Sequence, residues 1–389
     1  MTPAARLSAA IAVLDRILAG GPVEQSLTNW GRGNRFAGSG DRHAIRDLVF
    51  DALRCRRSHA ALGGGLTGRG LVLGGVRAAG RDLAALFDGE GHAPAPIGPE
   101  EAGRAPEGAE ALDVPDWLVA PLQADLGADY QAVMQAMRLR APVFLRVNLA
   151  RISRDEARLR LAAEGIGTQF VDFVSSALQV TDNARKIQQS ATYVEGLVAL
   201  QDASSQAVVA LLDLRPGARV LDYCAGGGGK TLALAARGVV PDAHDISTGR
   251  MKDLAARALR AGARVRIVHN PAQSASYDLI LIDAPCSGSG AWRRDPQGKW
   301  ALTPERLAEL SRIQAGILDQ CVPLLHPTGV LAYATCSLLG VENEAQVAGF
   351  LARHPAFHAT DQRRFSPLQG GDGFFVATLT RSAARTTQL

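Results

Sequence analysis

Residues 222–231 read Asp-Tyr-Cys-Ala-Gly-Gly-Gly-Gly-Lys-Thr, between an apolar strand-like stretch, Val220-Leu221-Asp222-Tyr223, and a helical one at residues 232–236. Gly226, Gly227, Gly228 and Gly229 permit positive φ and close backbone approach at a helix N-terminus, where negative charge is favoured. Four glycines cost backbone entropy that packing does not recover, so a nucleotide-bearing ligand is expected there. The phosphate-loop pattern G-x-x-x-x-G-K-[ST] fails by one residue, because Cys224 stands at its first glycine, and a nucleotide hydrolase is therefore set aside.

Beyond Asp202, short apolar strands alternate with helical stretches, the signature of a parallel α/β sheet. Strands are expected at residues 220–223, 239–245, 264–269, 278–283 and 329–335. The second ends in Asp245, about 20 residues after the glycine loop, where a doubly wound sheet holds ribose hydroxyls; this suits NAD and S-adenosylmethionine equally.

The remaining composition bounds the problem. The chain has 389 residues, 47% apolar and 21% charged, enough for two or three globular domains. Its formal charge of +4 does not by itself announce a nucleic-acid partner. The charge is unevenly placed, however: ten arginines face three aspartates between Arg32 and Arg81, whereas residues 82–129 carry one arginine against eleven acids. That basic stretch is either an RNA-contacting face or a solvated helix surface. A second basic cluster, seven arginines against Asp155 and Glu156, runs from Arg138 to Arg160.

Leu7, Ile11, Leu14 and Leu18 share a helix face, as do Ile45, Leu48, Val49 and Leu53 after Asp41 as a candidate N-cap. A small helical domain is expected at residues 1–87 and a Gly/Ala/Pro/Glu-rich linker at 88–112. A helix at 116–140 and a strand at 142–148 containing Arg146 follow, in an α+β segment covering 113–204; the α/β domain covers 205–389. The charge-free run 320–341 contains Pro323, His326, Pro327 and Gly329 and reads as core rather than a membrane span. The early charges Asp15 and Arg16 leave no signal-peptide core, so a cytoplasmic location is expected. Five scattered cysteines, none in C-x-x-C, argue against a disulfide framework and a zinc site.

Two of those cysteines sit where chemistry is expected. The fourth strand runs into Asp283-Ala284-Pro285-Cys286-Ser287-Gly288-Ser289-Gly290 and the fifth into Ala334-Thr335-Cys336-Ser337. Ligands of doubly wound sheets lie outside the carboxyl ends of the strands, so both thiols, Asp283 and the glycine loop should line one crevice. Methylation of cytosine C5 needs such a set. A thiolate adds to C6 and turns the ring into an enamine, a carboxyl group near N3 stabilises the adduct, and a second base removes the C5 proton. Cys55 and Cys321 lack this context and read as packing.

With these motifs the sequence resembles the RsmB/Sun branch of the Nol1/Nop2/Sun RNA cytosine-5 methyltransferases over nearly the whole chain. The resemblance is carried by residues 222–231 and 283–290, Trp292-Arg293-Arg294-Asp295-Pro296 with Lys299-Trp300, Thr335-Cys336-Ser337, Glu342-Asn343-Glu344, and Gly371-Asp372-Gly373-Phe374-Phe375. It implies an α/β, doubly wound Rossmann-like methyltransferase domain, a preceding RNA-binding α+β extension matching Leu145-Arg146-Val147-Asn148, and an all-helical NusB-like N-terminal domain matching Arg42-His43-Ala44-Ile45-Arg46-Asp47-Leu48.

The same resemblance implies site roles. Cys336 is the nucleophile and Cys286 assists proton removal and product release. Asp283 contacts cytosine N3 and Lys230 orients the site. Cys224, Ala225, Gly226, Gly227, Gly228, Gly229 and Lys230 cradle the methionine portion of S-adenosylmethionine, with Asp283 close to it; Asp245 holds the ribose, and Asn270, where relatives usually carry Asp, reaches adenine. Arg293, Arg294 and Lys299 suit phosphates, and Trp292 or Trp300 suits either base stacking or a core. The implied substrate is RNA, ribosomal first and transfer RNA second, acted on by a monomer with no membrane partner. A non-catalytic RNA-binding assembly factor on a degenerate fold is the competing reading. Gly-Gly-Gly-Gly-Lys replaces the family's Ala-Pro-Gly-Gly-Lys, which loosens the loop and keeps its backbone donors.

Overall fold

The computed structural model of the chain describes residues 1–274 and 276–382, which form two compact units. Of the described residues, one unit comprises Met1–Arg140 with Trp292–Ala301; the other comprises those of 141–291 and 302–382.

The first unit is built on α1 (Pro3–Leu18), α2 (Val23–Gly33), α3 (Ser39–Arg54), α4 (Arg56–Gly63) and α5 (Gly68–Ala78). Leu7, Leu14, Ile45, Val49, Leu71 and Leu73 fill its core, as the helical periodicity requires. Helices α4 and α5 touch backbone to backbone: a Cβ on Gly74 would stand 1.9 Å from the His59 carbonyl oxygen, so no larger residue fits that crossing. Asp41 is not the N-cap of α3. Gly38 holds that place, and Asp41, inside the first turn, accepts from Gly38 N at 3.3 Å and Arg6 Nε at 2.9 Å.

The stretch expected as a linker is pinned within this unit. Arg69 grips Glu101 through both carboxylate oxygens, at 2.5 and 2.8 Å, and Arg104 N donates to the Ala61 carbonyl. The expected helix at 116–140 is two, Asp116–Leu126 and Tyr130–Met137, broken at Gly127 with φ 54°. The segment Trp292–Ala301 is equally internal. Lys299 Nζ donates to the carbonyls of Arg54 and Asp113, Trp300 Nε1 donates to Leu53 O at 2.7 Å, and Trp292 and Arg293 are buried. Burial pushes the Lys299 ammonium down to about 8. Of the three cations expected at phosphates, only Arg294 remains on the surface.

The second unit holds two sheets. The smaller is antiparallel, in the order β2-β3-β1-β4, with β1 Val143–Val147, β2 Thr168–Phe170, β3 Ala177–Val180 and β4 Val198–Leu200. Arg146 on β1 is buried, and its Nε donates to Gln201 Oε1 at 2.7 Å. The larger sheet contains β5 (Val220–Asp222), β6 (Asp242–Ala243), β7 (Arg266–Ile267), β8 (Tyr277–Asp283), β9 (Leu325–Thr335), β10 (Phe357–Phe365) and β11 (Phe374–Arg381), in the order β10-β11-β9-β8-β5-β6-β7. Strands β5 to β9 pair in parallel and β11 runs antiparallel to both its neighbours.

The charge-free run 320–341 becomes the end of the helix Pro304–Cys321 and strand β9. Among the described residues no helix is long and apolar enough to cross a membrane. The order β9-β8-β5 sets the carboxyl ends of three strands side by side, and each ends in a motif singled out in the sequence.

The buried Asp113 carboxylate accepts from Arg57 N, Ser58 N, Ser58 Oγ and Arg138 Nε, all within 2.9 Å, and so caps α4. Asp113→Ala is expected to lower the unfolding free energy by about 2–4 kcal/mol through orphaned donors and a lost cap, with Asp113→Asn costing less. All four tryptophans, Trp30, Trp117, Trp292 and Trp300, belong to this unit. Urea unfolding followed by tryptophan fluorescence therefore reports it directly; a midpoint equal to the parent's would contradict the cap.

Candidate active site

The glycine loop leaves β5 and turns into the helix Gly229–Ala235. Gly228 has φ 79°, and a Cβ there would meet Leu254 Cδ1 at 2.2 Å, so conformation and space both require glycine. The loop is held from outside by Asp245. Its Oδ2 accepts from Gly226 N and its Oδ1 from Ser247 N, both at 2.9 Å, and Arg250 stands 3.4 Å away.

A cavity of about 320 Å³ opens at this loop, lined by Cys224, Ala225, Gly226, Gly227, Gly229, Lys230, Asp222 and Asp283, with Gln201, Ser205, Arg250 and Arg257 around it. Neither Asp245 nor Asn270 is in its lining; Asn270 is exposed and its Oδ1 accepts from Ala272 N at 3.1 Å. Asp222 is the residue whose role the sequence did not reveal. Thr231 Oγ1 donates to its Oδ2 at 2.6 Å, but Oδ1 is buried without a partner. Burial pushes this carboxyl up to about 7, against the Thr231 hydrogen bond. A cationic group in the cavity would satisfy Oδ1, and the guanidinium groups of Arg250 and Arg257 suit a carboxylate. This donor set fits the ammonium, carboxylate and sulfonium of S-adenosylmethionine.

Across the cavity, Lys230 Nζ donates to Asp283 Oδ2 at 2.6 Å and lies 4.9 Å from the Phe374 ring centroid. Burial alone would lower the Lys230 ammonium; the Asp283 carboxylate overrides it and holds the group above its ordinary value.

The two thiols lie together. Strands β8 and β9 are parallel neighbours, and their continuing loops stay joined, Ala284 N to Ala334 O and Gly290 N to Cys336 O, each at 2.9 Å. Cys286 Sγ and Cys336 Sγ are 3.4 Å apart. The Cys286 thiol is pushed well up, first by its hydrogen bond to Cys336 and then by burial. Cys321 lies in the core and Cys55 Sγ contacts the Arg138 carbonyl, the packing roles expected of both.

Glu342 clamps the two loops. Its carboxylate has no exposed surface and accepts from Ser287 N at 2.8 Å, Ser287 Oγ at 2.5 Å, Gln314 Nε2 at 3.0 Å and Ser337 Oγ at 2.6 Å. Asn343 continues the clamp, accepting from Thr335 Oγ1 and donating to Ser337 O. The sequence marked Glu342 and Asn343 as a motif; only the structure shows that they embrace both cysteines by their flanking serines.

A family model described as 16S rRNA methyltransferase RsmB/F matches residues 209–380, and a ferredoxin-like domain model of RsmF/B-like methyltransferases matches 114–187. Ribosomal RNA small subunit methyltransferase B of Klebsiella pneumoniae is 36% identical over 287 residues, 69% of this chain and 66% of that protein. The protein of the same name from Xylella fastidiosa is 36% identical over 288 residues, 69% of this chain and 68% of that one. The chain thus spans about two thirds of the length of these curated relatives. The solved structure of PH0851 shares the fold, with a TM-score of 0.78 at 22% identity over 98% of this chain and 99% of its own. Identity at this level over more than two thirds of the chain, together with the matching family model, places the chain in the RsmB/F family of S-adenosylmethionine-dependent ribosomal RNA methyltransferases.

Proposed function

We propose that the protein, acting as a cytoplasmic monomer, methylates C5 of a cytosine in small-subunit ribosomal RNA. The observation that carries this reading is the 3.4 Å approach of two thiols on the loops after β8 and β9; neither thiol is in the lining of the glycine-loop cavity, but Asp283, at the end of β8 and paired with Lys230, is. Residues 224–230 and Asp222 would hold the methionine end of the cofactor; Asp245, which already accepts from Gly226 N and Ser247 N, would reach the ribose with its remaining lone pairs, and the exposed Asn270 the adenine, both beyond the cavity's lining. When bound, S-adenosylmethionine supplies the electrophilic methyl group.

The chain's own residues do the rest. The target base is flipped from its helix to reach the thiols. Cys336 Sγ, as thiolate, forms a bond to C6 while Asp283 holds the N3 edge, and the electron pair displaced from C6 makes C5 nucleophilic. After C5 is alkylated, its proton passes to a base; the C5–C6 double bond re-forms and Cys336 leaves as thiolate. The protonation pattern favours this division of labour. Cys286 keeps its proton because Cys336 faces it, and Lys230 lies near enough to feel charge on Cys336. Once Cys336 is a thioether the charge facing Cys286 is gone, so Cys286 can release its own proton to solvent and, as thiolate, take the C5 proton.

With tritiated cofactor and small-subunit ribosomal RNA, the parent protein should label one cytosine at C5; absence of label on any RNA would overturn the reading. Cys336→Ala should lower turnover by more than about 10⁴-fold. Cys286→Ala should accumulate a denaturation-resistant protein–RNA adduct, and an adduct persisting instead in the Cys336 variant would reverse the assignment. Binding of the cofactor without RNA also separates this reading from a degenerate, non-catalytic factor.

Two further outcomes follow from the site. Asp222 has its pKa near 7, so its ionised fraction rises from pH 6 to pH 8. Calorimetric affinity for S-adenosylmethionine should tighten by about tenfold over that interval, and Asp222→Asn should flatten the profile. Glu342→Ala should cost about a hundredfold in kcat through misplaced thiols, with the KM for cofactor nearly unchanged. An equal loss in both constants would point to general disruption instead.

A further inference from the structure

The arginine-rich stretch between Arg32 and Arg81 resolves into spent and unspent charges. Arg42 donates to Ala37 O, Arg46 pairs with Glu24, Arg54 with Asp51, Arg57 with Asp116 and Arg69 with Glu101, while Arg77 binds the carbonyls of Leu62 and Glu101. Arg56 lies over the Trp300 ring, and Arg81 shares a cavity with Asp82, Asp88 and Glu90. Two remain. Arg32 and Arg35 are exposed and have no hydrogen bond or ion pair to any described residue.

Between and beside them the chain makes a short loop from α2 to α3. Its feet are fixed: Asn34 Nδ2 donates to Trp30 O at 2.8 Å, Ala37 N to Asn34 O at 3.1 Å, and Arg42 Nε to Ala37 O at 3.0 Å. At its tip Phe36 is 74% exposed, among the most exposed large apolar side chains described. The only acid between residues 25 and 46 is Asp41, which is engaged by Arg6 and the N-terminal ammonium. The loop therefore presents an aromatic face flanked by two uncompensated guanidinium groups. A lone exposed Phe needs no explanation, and Arg32 in the last turn of α2 suits the helix dipole. Neither argument accounts for Arg35 beside Phe36 on a braced tip.

We propose that the loop 32–38 is an RNA-docking finger, with Arg32 and Arg35 on phosphates and Phe36 stacked on an unpaired base. Single-stranded nucleic acid is held by this combination, an aromatic platform for the base and cations for the backbone. An acidic protein segment would engage the arginines and leave the ring without a flat partner. The inference rests on RNA being the substrate, and assigns a contact remote in sequence from the thiols.

The test uses the full chain and fluorescently labelled small-subunit ribosomal RNA transcript, with affinity measured across a salt series and cofactor affinity measured in parallel. The double variant R32Q/R35Q should weaken RNA binding by at least about tenfold and flatten the log–log salt dependence by about 1.4 for two lost phosphate contacts. Phe36→Ala should weaken it by about tenfold, and Phe36→Trp should restore it. All three residues are exposed, so cofactor affinity and the urea midpoint should not move. If the parent binds and methylates RNA and these variants match it, the finger is wrong while the methyltransferase reading stands. Rescue of Phe36→Ala by leucine as fully as by tryptophan would replace base stacking by plain apolar contact and overturn the proposal. A parent protein that neither binds nor methylates RNA would remove both.

Discussion

A carboxylate sealed from solvent, Glu342, joins the two loops on which the chemistry depends. Ionised groups are costly to bury unless every lone pair finds a donor, and here four donors converge on it from Ser287, Ser337 and Gln314. Two of these flank the cysteines directly in sequence. Backbone bonding between β8 and β9 continues past the strands into the same loops, so the thiol spacing is fixed twice, by the sheet and by the clamp. A group that must attack one ring carbon needs placement within fractions of an ångström. Loops provide that only when they are braced in this way.

The cofactor cavity is organised by a similar division between bracing and binding groups. Asp245 turns its carboxylate onto Gly226 N and Ser247 N, and thereby fixes the glycine loop and the chain beyond β6. Asp222, at the end of β5, is left half satisfied. Two carboxylates of the same type thus take different parts because one meets backbone donors and the other meets apolar burial. Lys230 pairs with Asp283, its ammonium retained against burial by that carboxylate.

Much of this was legible in the chain because its signals are local. A four-glycine turn after an apolar strand can be read without tertiary information, and the motifs ending β8 and β9 needed only the rule that ligands lie at carboxyl ends of parallel strands. What escaped was set by distant partners. Strands β6 and β7 shrink to two paired residues each, since pairing length depends on neighbours rather than on the apolar run. Strand β10, Phe-His-Ala-Thr-Asp-Gln-Arg-Arg-Phe, carries too many polar residues to resemble a strand; it forms by pairing one edge to β11 and leaving the other to solvent. Lys299 and Arg293 look like surface cations in sequence, yet they are buried because the segment Trp292–Ala301 clusters with the helical unit. No periodicity announces that a chain will leave one unit and return.

The asymmetry of the two thiols is the last consequence of this architecture. Both follow parallel neighbouring strands, both are half-buried, and they face each other; nothing in their spacing distinguishes nucleophile from base. Their surroundings differ. Cys286 has Cys336 and the Glu342 carboxylate as its electrostatic neighbours, both of which oppose a thiolate, whereas charge on Cys336 is felt by the Lys230 ammonium. Negative charge on Cys286 thus faces a carboxylate, and negative charge on Cys336 a cation. In the proposed reaction, covalent attack by Cys336 neutralises that sulfur and lifts the restraint on Cys286. On that proposal the 3.4 Å spacing lets the two cysteines work in sequence, because the first step removes the charge that opposes the second.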